Sequence, residues 1–423
     1  MRNLSIFPVR SDKFLFRTFF FFTILFLTSA MKAQSVEQDS AKAEPAIVLG
    51  EKHKITSSIL GEDRPYSVFL PQSYNNETYT PGSYPVFFMI PDGGVVGKTF
   101  MELMSSETII PEMIVIDIPL SWDEYHDYLT PTQNNTLWDG REIELLSKSG
   151  RADKFLAFLS DELLPHIDST YRTKPYRVLF GNSIAGLFTA HAFLSQTHNF
   201  QGFIVSEPSL WWDDQVVLKM LEQRMSEGEN LEGNVFLALA KQPREDSDRK
   251  EMDIPINNFA DLLGSKEAEN LHFRFQMYPD KNHGSVIPFS IYDGLKHIFQ
   301  GYEPVPGQFA ERPESILPHF QKVSERLAIT LLPPEKLLDR IGSWQVYDAN
   351  ATDETDHNKL QKGLEVLKIN AELYPDSYHA HQALADTHLK IGNKEMARKH
   401  YERSLVLNPQ NEHAQDHLEA LKP

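Results

Sequence analysis

Ser183 stands in the run from Tyr176 to Leu194, YRVLFGNSIAGLFTAHAFL. A short β-type stretch, Tyr176 to Phe180, turns through Gly181 to Gly186 and continues with apolar residues at helical spacing. A hydroxyl on so tight a strand-to-helix turn is lifted clear of the sheet and faces backbone N–H groups at a helix N-terminus. That environment suits a nucleophile. The usual pattern is G-x-S-x-G; here Ala185 holds the second glycine position and Gly186 follows it.

Serine at neutral pH is a weak nucleophile, so it needs a base within hydrogen-bond reach and a group to orient that base. His283 is the expected base, because it lies in the loop Pro279 to Ser285 directly after the last β-type run. His272 and His297 fall inside elements and read as structural. Chain order places the acid between serine and histidine. The loop KQPREDSDRK offers Glu245, Asp246 and Asp248, of which Glu245 is favoured. Glu207, after the preceding strand, is an alternative, and so is a histidine held only by a backbone carbonyl. The tetrahedral oxygen needs two backbone donors. Ile184 supplies one N–H and Gly93, or its neighbour Gly94, the other. This is acyl transfer through a covalent serine intermediate, and it calls for no metal or organic cofactor.

Around these residues β-type runs alternate with helical ones. ITSSIL and PYSVFLP, joined by the polar GEDR, read as an antiparallel hairpin at a sheet edge. Strands follow at PVFFMI, Met113 to Ile118, Tyr176 to Phe180, Gly202 to Ser206, Asn234 to Ala240 and His272 to Tyr278. Helices are expected around Phe155 to Leu164, Asp214 to Met225, Ile256 to Leu263 and Ser290 to Phe299. Such alternation predicts an α/β fold, a mainly parallel sheet with helices on both faces. Ligands then belong at the carboxyl ends of its strands.

The chain has 423 residues and a net charge of −18, which argues against nucleic acid or an anionic membrane as partner. Arg2, Arg10, Lys13 and Arg17 precede the apolar block Thr18 to Leu27 and the small residues Ser29, Ala30 and Ala33. That order is expected of a signal peptide, residues 1–33, giving a periplasmic or secreted protein. Without cysteine there is no disulfide framework. An ester-cleaving domain is expected over residues 34–303, then a proline-rich linker over 304–340 with one helix near Pro313 to Leu327. Pro375 and Pro409 lie 34 residues apart, one tetratricopeptide period, with Leu384, Ala385, His388, Ala397 and Tyr401 between them. Residues 341–423 are thus expected as an all-α, tetratricopeptide-like module able to dock a protein partner; its upstream copy is degenerate at Gly363 and Leu367.

Five segments together resemble one family of α/β-hydrolases, the esterases that include esterase D and the enterobactin and bacillibactin trilactone esterases. They are RPYSVFLPQSY, YPVFFMIPDGG, the stretch from Asp153 to Phe188, SEPSLWWDD and YPDKNHGSVIPFSIYDGL, spanning Arg64 to Phe299. The resemblance implies catalytic roles for Ser183 and His283 and places Trp211 and Trp212 near the substrate. It implies a siderophore-type lactone or a polysaccharide-linked ester as substrate. Asn182 replaces a frequent family histidine, and His126-Asp127 an arginine-aspartate pair. The competing readings are an inactive hydrolase fold that docks partners through its tail, and an acyltransferase.

Overall fold

The structure, a computed structural model, describes residues 48–422 except 92, 138, 196–197, 242–245, 266–269, 306 and 350–353. The expected signal peptide and Glu245 therefore lie outside the described residues. The strands are β1 (Glu51–Ser57), β2 (Glu62–Phe69), β3 (Tyr84–Ile90), β4 (Ile114–Asp117), β5 (Thr173–Asn182), β6 (Gly202–Ser206), β7 (Gly233–Ala240) and β8 (Leu271–Tyr278). They form one sheet in the order β1-β2-β4-β3-β5-β6-β7-β8. The β1–β2 hairpin and the β2–β4 pair are antiparallel and every other pair is parallel. Parallel strands covered on both faces are apolar throughout rather than alternating, and β3, YPVFFMI, is buried at every position.

Helices α1 (Gly94–Ser106), α2 (Trp122–Tyr128), α3 (Ala152–Phe158), α4 (Leu164–Thr170), α5 (Ile184–Ser195), α6 (Trp212–Ser226), α7 (Asp246–Gly264) and α8 (Ile287–Ile298) connect the strands. Val86, Phe88 and Ile90 of β3 face one core, which α3, α5, α6 and α7 cover. Phe87 and Met89 face the other, under α1 and α8. Mostly apolar, α5 is buried at every position from Ile184 to Leu194 and holds the centre of the first layer.

Beyond the sheet the chain is helical, with α9 (Gln308–Glu311), α10 (Ile316–Leu327), α11 (Glu335–Asp348), α12 (Glu354–Leu373), α13 (Tyr378–Lys390), α14 (Lys394–Leu407) and α15 (Glu412–Ala420). The proline-rich stretch packs rather than spans. Phe320 and Val323 of α10 and Leu337 and Leu338 of α11 belong to the same core as Phe87 and Met89. Polar ties reinforce it: Arg326 donates to Asn234 Oδ1 at 3.1 Å and to the Ile298 carbonyl at 2.7 Å. Glu335, buried, accepts from the Thr80 N–H at 2.7 Å and from Ser377 Oγ at 2.5 Å. The 34-residue offset recurs in three dimensions. Ser377 caps α13 through the Ala380 N–H, and Asn411, 34 residues on, caps α15 through the Ala414 N–H.

Three imidazoles are packed into the tail. His381 and His400 meet Nδ1 to Nδ1 at 3.2 Å, and His388 stacks on His400 with centroids 5.7 Å apart. Burial pushes all three below the ordinary histidine range, His400 to about 4. A base whose folded-state pKa is depressed favours folding above its unfolded pKa, and that contribution fades as pH falls through the folded value. His379 runs the other way, raised by its hydrogen bond to Asp339, and strengthens folding on the acid side. Burial depresses His297 as well, and with four depressed groups against one the thermal midpoint should fall as pH drops from about 6.5 toward 4. His400→Gln should flatten that slope in melts followed by circular dichroism; an unchanged slope would refute the assignment.

Candidate active site

Strand β5 ends at Asn182 and α5 begins at Ile184, so Ser183 alone makes the turn. Its φ is +64°, left-handed backbone that a residue with a side chain adopts only when its surroundings enforce it. Enforcement comes from the neighbouring strand. The Ser183 N–H donates to the Ser206 carbonyl at 3.1 Å, and the Ser183 carbonyl accepts from the Ser209 and Leu187 N–H groups at 3.0 and 2.9 Å. Gly186 sits where a Cβ would come within 2.7 Å of the Ser206 carbonyl, whereas Ala185 is buried without such a clash. The close approach therefore falls one residue later than the usual pattern places it.

Register carries the next group into place. Asn182 of β5 pairs with Ser206 of β6, so Ser183 and Glu207 leave adjacent parallel strands side by side. Glu207 is 1% exposed and has a φ of +43°. Its N–H donates to the Ala238 carbonyl at 2.9 Å, its Oε1 accepts from the Ala240 N–H, and its Oε2 lies 3.0 Å from His283 Nδ1. A buried carboxylate is tolerable only with such partners. His283, half-buried, rides on a loop that Asn282 braces by accepting from the Gly284 and Ser285 N–H groups at 3.1 and 2.8 Å. With Nδ1 turned to Glu207, Nε2 is the nitrogen left for proton transfer. No hydrogen bond joins Ser183 Oγ to His283; Ser183 Oγ instead has Ser209 Oγ at 3.5 Å.

Two expected placements change. The carboxylate described on His283 is that of Glu207, the alternative, while the favoured Glu245 lies outside the described residues. The Gly93 N–H donates to Asp117 Oδ1 at 2.9 Å, which commits the donor expected there; Gly94, whose N–H opens α1, remains in that loop. Trp212 is fully buried and its indole N–H donates to Thr132, 3.2 Å from Oγ1, so it anchors the core instead of facing a substrate. Trp211 does reach open space. With Asn134, Leu137, Asp213 and Gln215 it borders a cavity of about 340 Å³.

One residue carries no signal in the sequence pattern. Tyr125 of α2 reaches over the elbow, donating its hydroxyl to the Asn182 carbonyl at 3.1 Å and accepting from the Ala185 N–H at 3.3 Å. The Ser183 side chain and the Ile184 N–H adjoin the same oxygen. Burial pushes the Tyr125 pKa up, and these donors pull it partly back. Exposed Trp122 stacks on Tyr125 at 6.0 Å and His126 packs edge-on against Trp122 at 4.7 Å, so the histidine at the family's arginine position is turned onto an aromatic ledge.

A serine on a strained elbow, a buried carboxylate on a loop histidine and backbone N–H groups at a helix start accord with the comparisons, which show a carboxylic ester hydrolase of the α/β-hydrolase type. Residues 57–274, about half of the chain, match the family described as "Putative esterase", and the chain belongs to that family. It is 24% identical over 282 residues to the ferri-bacillibactin esterase BesA of Bacillus subtilis, covering 63% of this chain and 96% of that protein. An IroE-like serine hydrolase of Shewanella oneidensis superposes with a TM-score of 0.66 at 25% identity, over 77% of this chain and 99% of the other. An uncharacterised protein of Capnocytophaga ochracea, 14% identical with a TM-score of 0.53, shares the fold over 88% of this chain and 99% of its own.

The Gly186 contact gives a direct test of the elbow. Gly186→Ala should destabilise the protein by about 1–3 kcal/mol in urea unfolding, because neither backbone can yield without moving the turn. Stability within error of the parent would show that the approach is looser than described.

Proposed function

We propose that the chain is an exported serine esterase that opens the ester or lactone bonds of a siderophore-type substrate through an acyl-enzyme on Ser183. The observation that carries the reading is the Glu207–His283 contact at 3.0 Å, beside a serine whose backbone is held left-handed. In this scheme His283 swings its Nε2 to Ser183 Oγ as substrate enters and takes the proton as Oγ attacks the carbonyl. The Ile184 and Gly94 N–H groups receive the developing charge. His283 then protonates the departing alkoxide, and Glu207 stabilises the transient imidazolium through Nδ1. Water, deprotonated by the same imidazole, releases the acid and regenerates the serine.

The substrate class rests on what the BesA name says of that relative, and on the aromatic ledge of Trp122 and Tyr125 beside the elbow. Export rests on the order of charged, apolar and small residues at the N-terminus. The division into an ester-cleaving domain and a tetratricopeptide-like tail that docks a protein partner belongs to the same proposal, supported by the 34-residue offset between the starts of α13 and α15.

Kinetics on a p-nitrophenyl ester and a catecholate trilactone, with products separated by chromatography, test the reading. Ser183→Ala should reduce kcat by about 10⁶, to background. Glu207→Gln should cost about 10⁴, while Glu245→Gln should leave kcat unchanged. Equal rates for Ser183→Ala and the parent chain would leave only an inactive scaffold, and loss of activity in Glu245→Gln alone would return the acid to the other loop.

A further inference from the structure

In the tail, far from the elbow in sequence, lies a second group of chemically capable side chains. Asp386 comes from α13, and His413 and His417 come from α15. One ligand atom from each, a carboxylate oxygen and two ring nitrogens, lies within 4.8 Å of the others. Spacing four residues apart puts both imidazoles on one face of the helix, and their rings stack with centroids 4.1 Å apart.

We propose that Asp386, His413 and His417 bind a divalent first-row transition-metal ion of the Zn²⁺ type, which clips the last helix onto α13.

The hydrogen bonds around the group favour this over a plain ion pair. His417 Nδ1 lies 2.9 Å from the His413 carbonyl oxygen, which can only accept, so the proton sits on Nδ1 and Nε2 keeps its lone pair. That is the outer support by which ligating histidines are usually fixed. Asp386 Oδ1 takes the Tyr401 hydroxyl, which orients the carboxylate in the same way. His413 Nε2 faces Asp386 Oδ1 at 2.8 Å, and the ion replaces the proton those two atoms share. An exposed histidine-carboxylate pair alone contributes about 0–1 kcal/mol and gives no reason for a second imidazole at the same place. Zn–N bonds of about 2.0–2.1 Å put tetrahedral ligands about 3.3 Å apart, so small side-chain rotations close the present spacing. Two imidazoles and one carboxylate suit Zn²⁺, Ni²⁺ or Cu²⁺ and not Mg²⁺ or Ca²⁺. His413 is exposed, so water completes the coordination.

The location explains what the ion would do. The α15 helix buries only Ala414 completely, in a small cluster with Ala385, Ala397 and Tyr401. With so little apolar area beneath it, the end of the stack gains from a cross-link that binds the folded state alone.

The untagged full chain, stripped with chelator, should take up one Zn²⁺ in calorimetry at pH 7.5 and release protons as it does so. Mg²⁺ should give no heat, and Zn²⁺ should raise the thermal midpoint. His413→Ala with His417→Ala should weaken binding at least about 10-fold, and the milder His417→Gln should weaken it too, with circular dichroism confirming that both fold. His381→Ala with His400→Ala, in the other imidazole group, should bind as the parent does. Absence of stoichiometric Zn²⁺ uptake, or uptake unchanged by the His413 and His417 substitutions, would overturn the assignment.

Discussion

The carboxyl ends of the sheet's strands depend on one buried carboxylate. Glu207 leaves the carboxyl end of β6 beneath the surface, where an unpaired carboxylate would cost several kcal/mol. Its carboxylate takes the Ala240 N–H on β7 and the His283 imidazole beyond β8, and its own backbone N–H donates to the Ala238 carbonyl. Satisfying the charge therefore fixes β7 against β6 and draws the histidine loop inward. The same strand end holds the elbow through the Ser206 carbonyl. Strand register, rather than any local motif, is what brings residues separated by a hundred positions into one neighbourhood.

Much of this was legible in the sequence, for identifiable reasons. The elbow announced itself because a strand, small residues and an apolar helix follow one another without a break. The edge hairpin, the parallel sheet and its covering helices followed from alternation of periods, and β6 was placed at its true ends, Gly202 to Ser206. Helices came out short where their ends are polar: α7 was expected from Ile256 and begins at Asp246. The carboxylate that meets His283 was not decidable, because a loop with three carboxylates outweighed a single glutamate whose left-handed backbone is invisible before folding. Tyr125 was beyond reach for the same reason, since its role comes from where α2 lands.

The proline-rich stretch shows what composition leaves out. Six prolines between Tyr302 and Pro334 suggested a linker with one helix near Pro313 to Leu327; α10, Ile316–Leu327, and α11 bury Phe320, Val323, Leu337 and Leu338 in the sheet's second core. Proline stops helices at their ends and leaves the apolar spacing between stops intact. The tail is thus continuous with the sheet's second core, and its terminal helix is the thinly packed part.

Tyr125 has a consequence for selectivity. Its phenolic oxygen takes the Ala185 N–H and adjoins the Ile184 N–H, which in the proposed scheme receives the developing oxyanion. A neutral ester carbonyl is no better an acceptor than that phenol and gains little by evicting it. An alkoxide is a far stronger acceptor and displaces it readily. Eviction costs the same whichever species arrives, so on the proposed scheme only the charged one repays it, and the protein's own side chain keeps neutral acceptors out of that position.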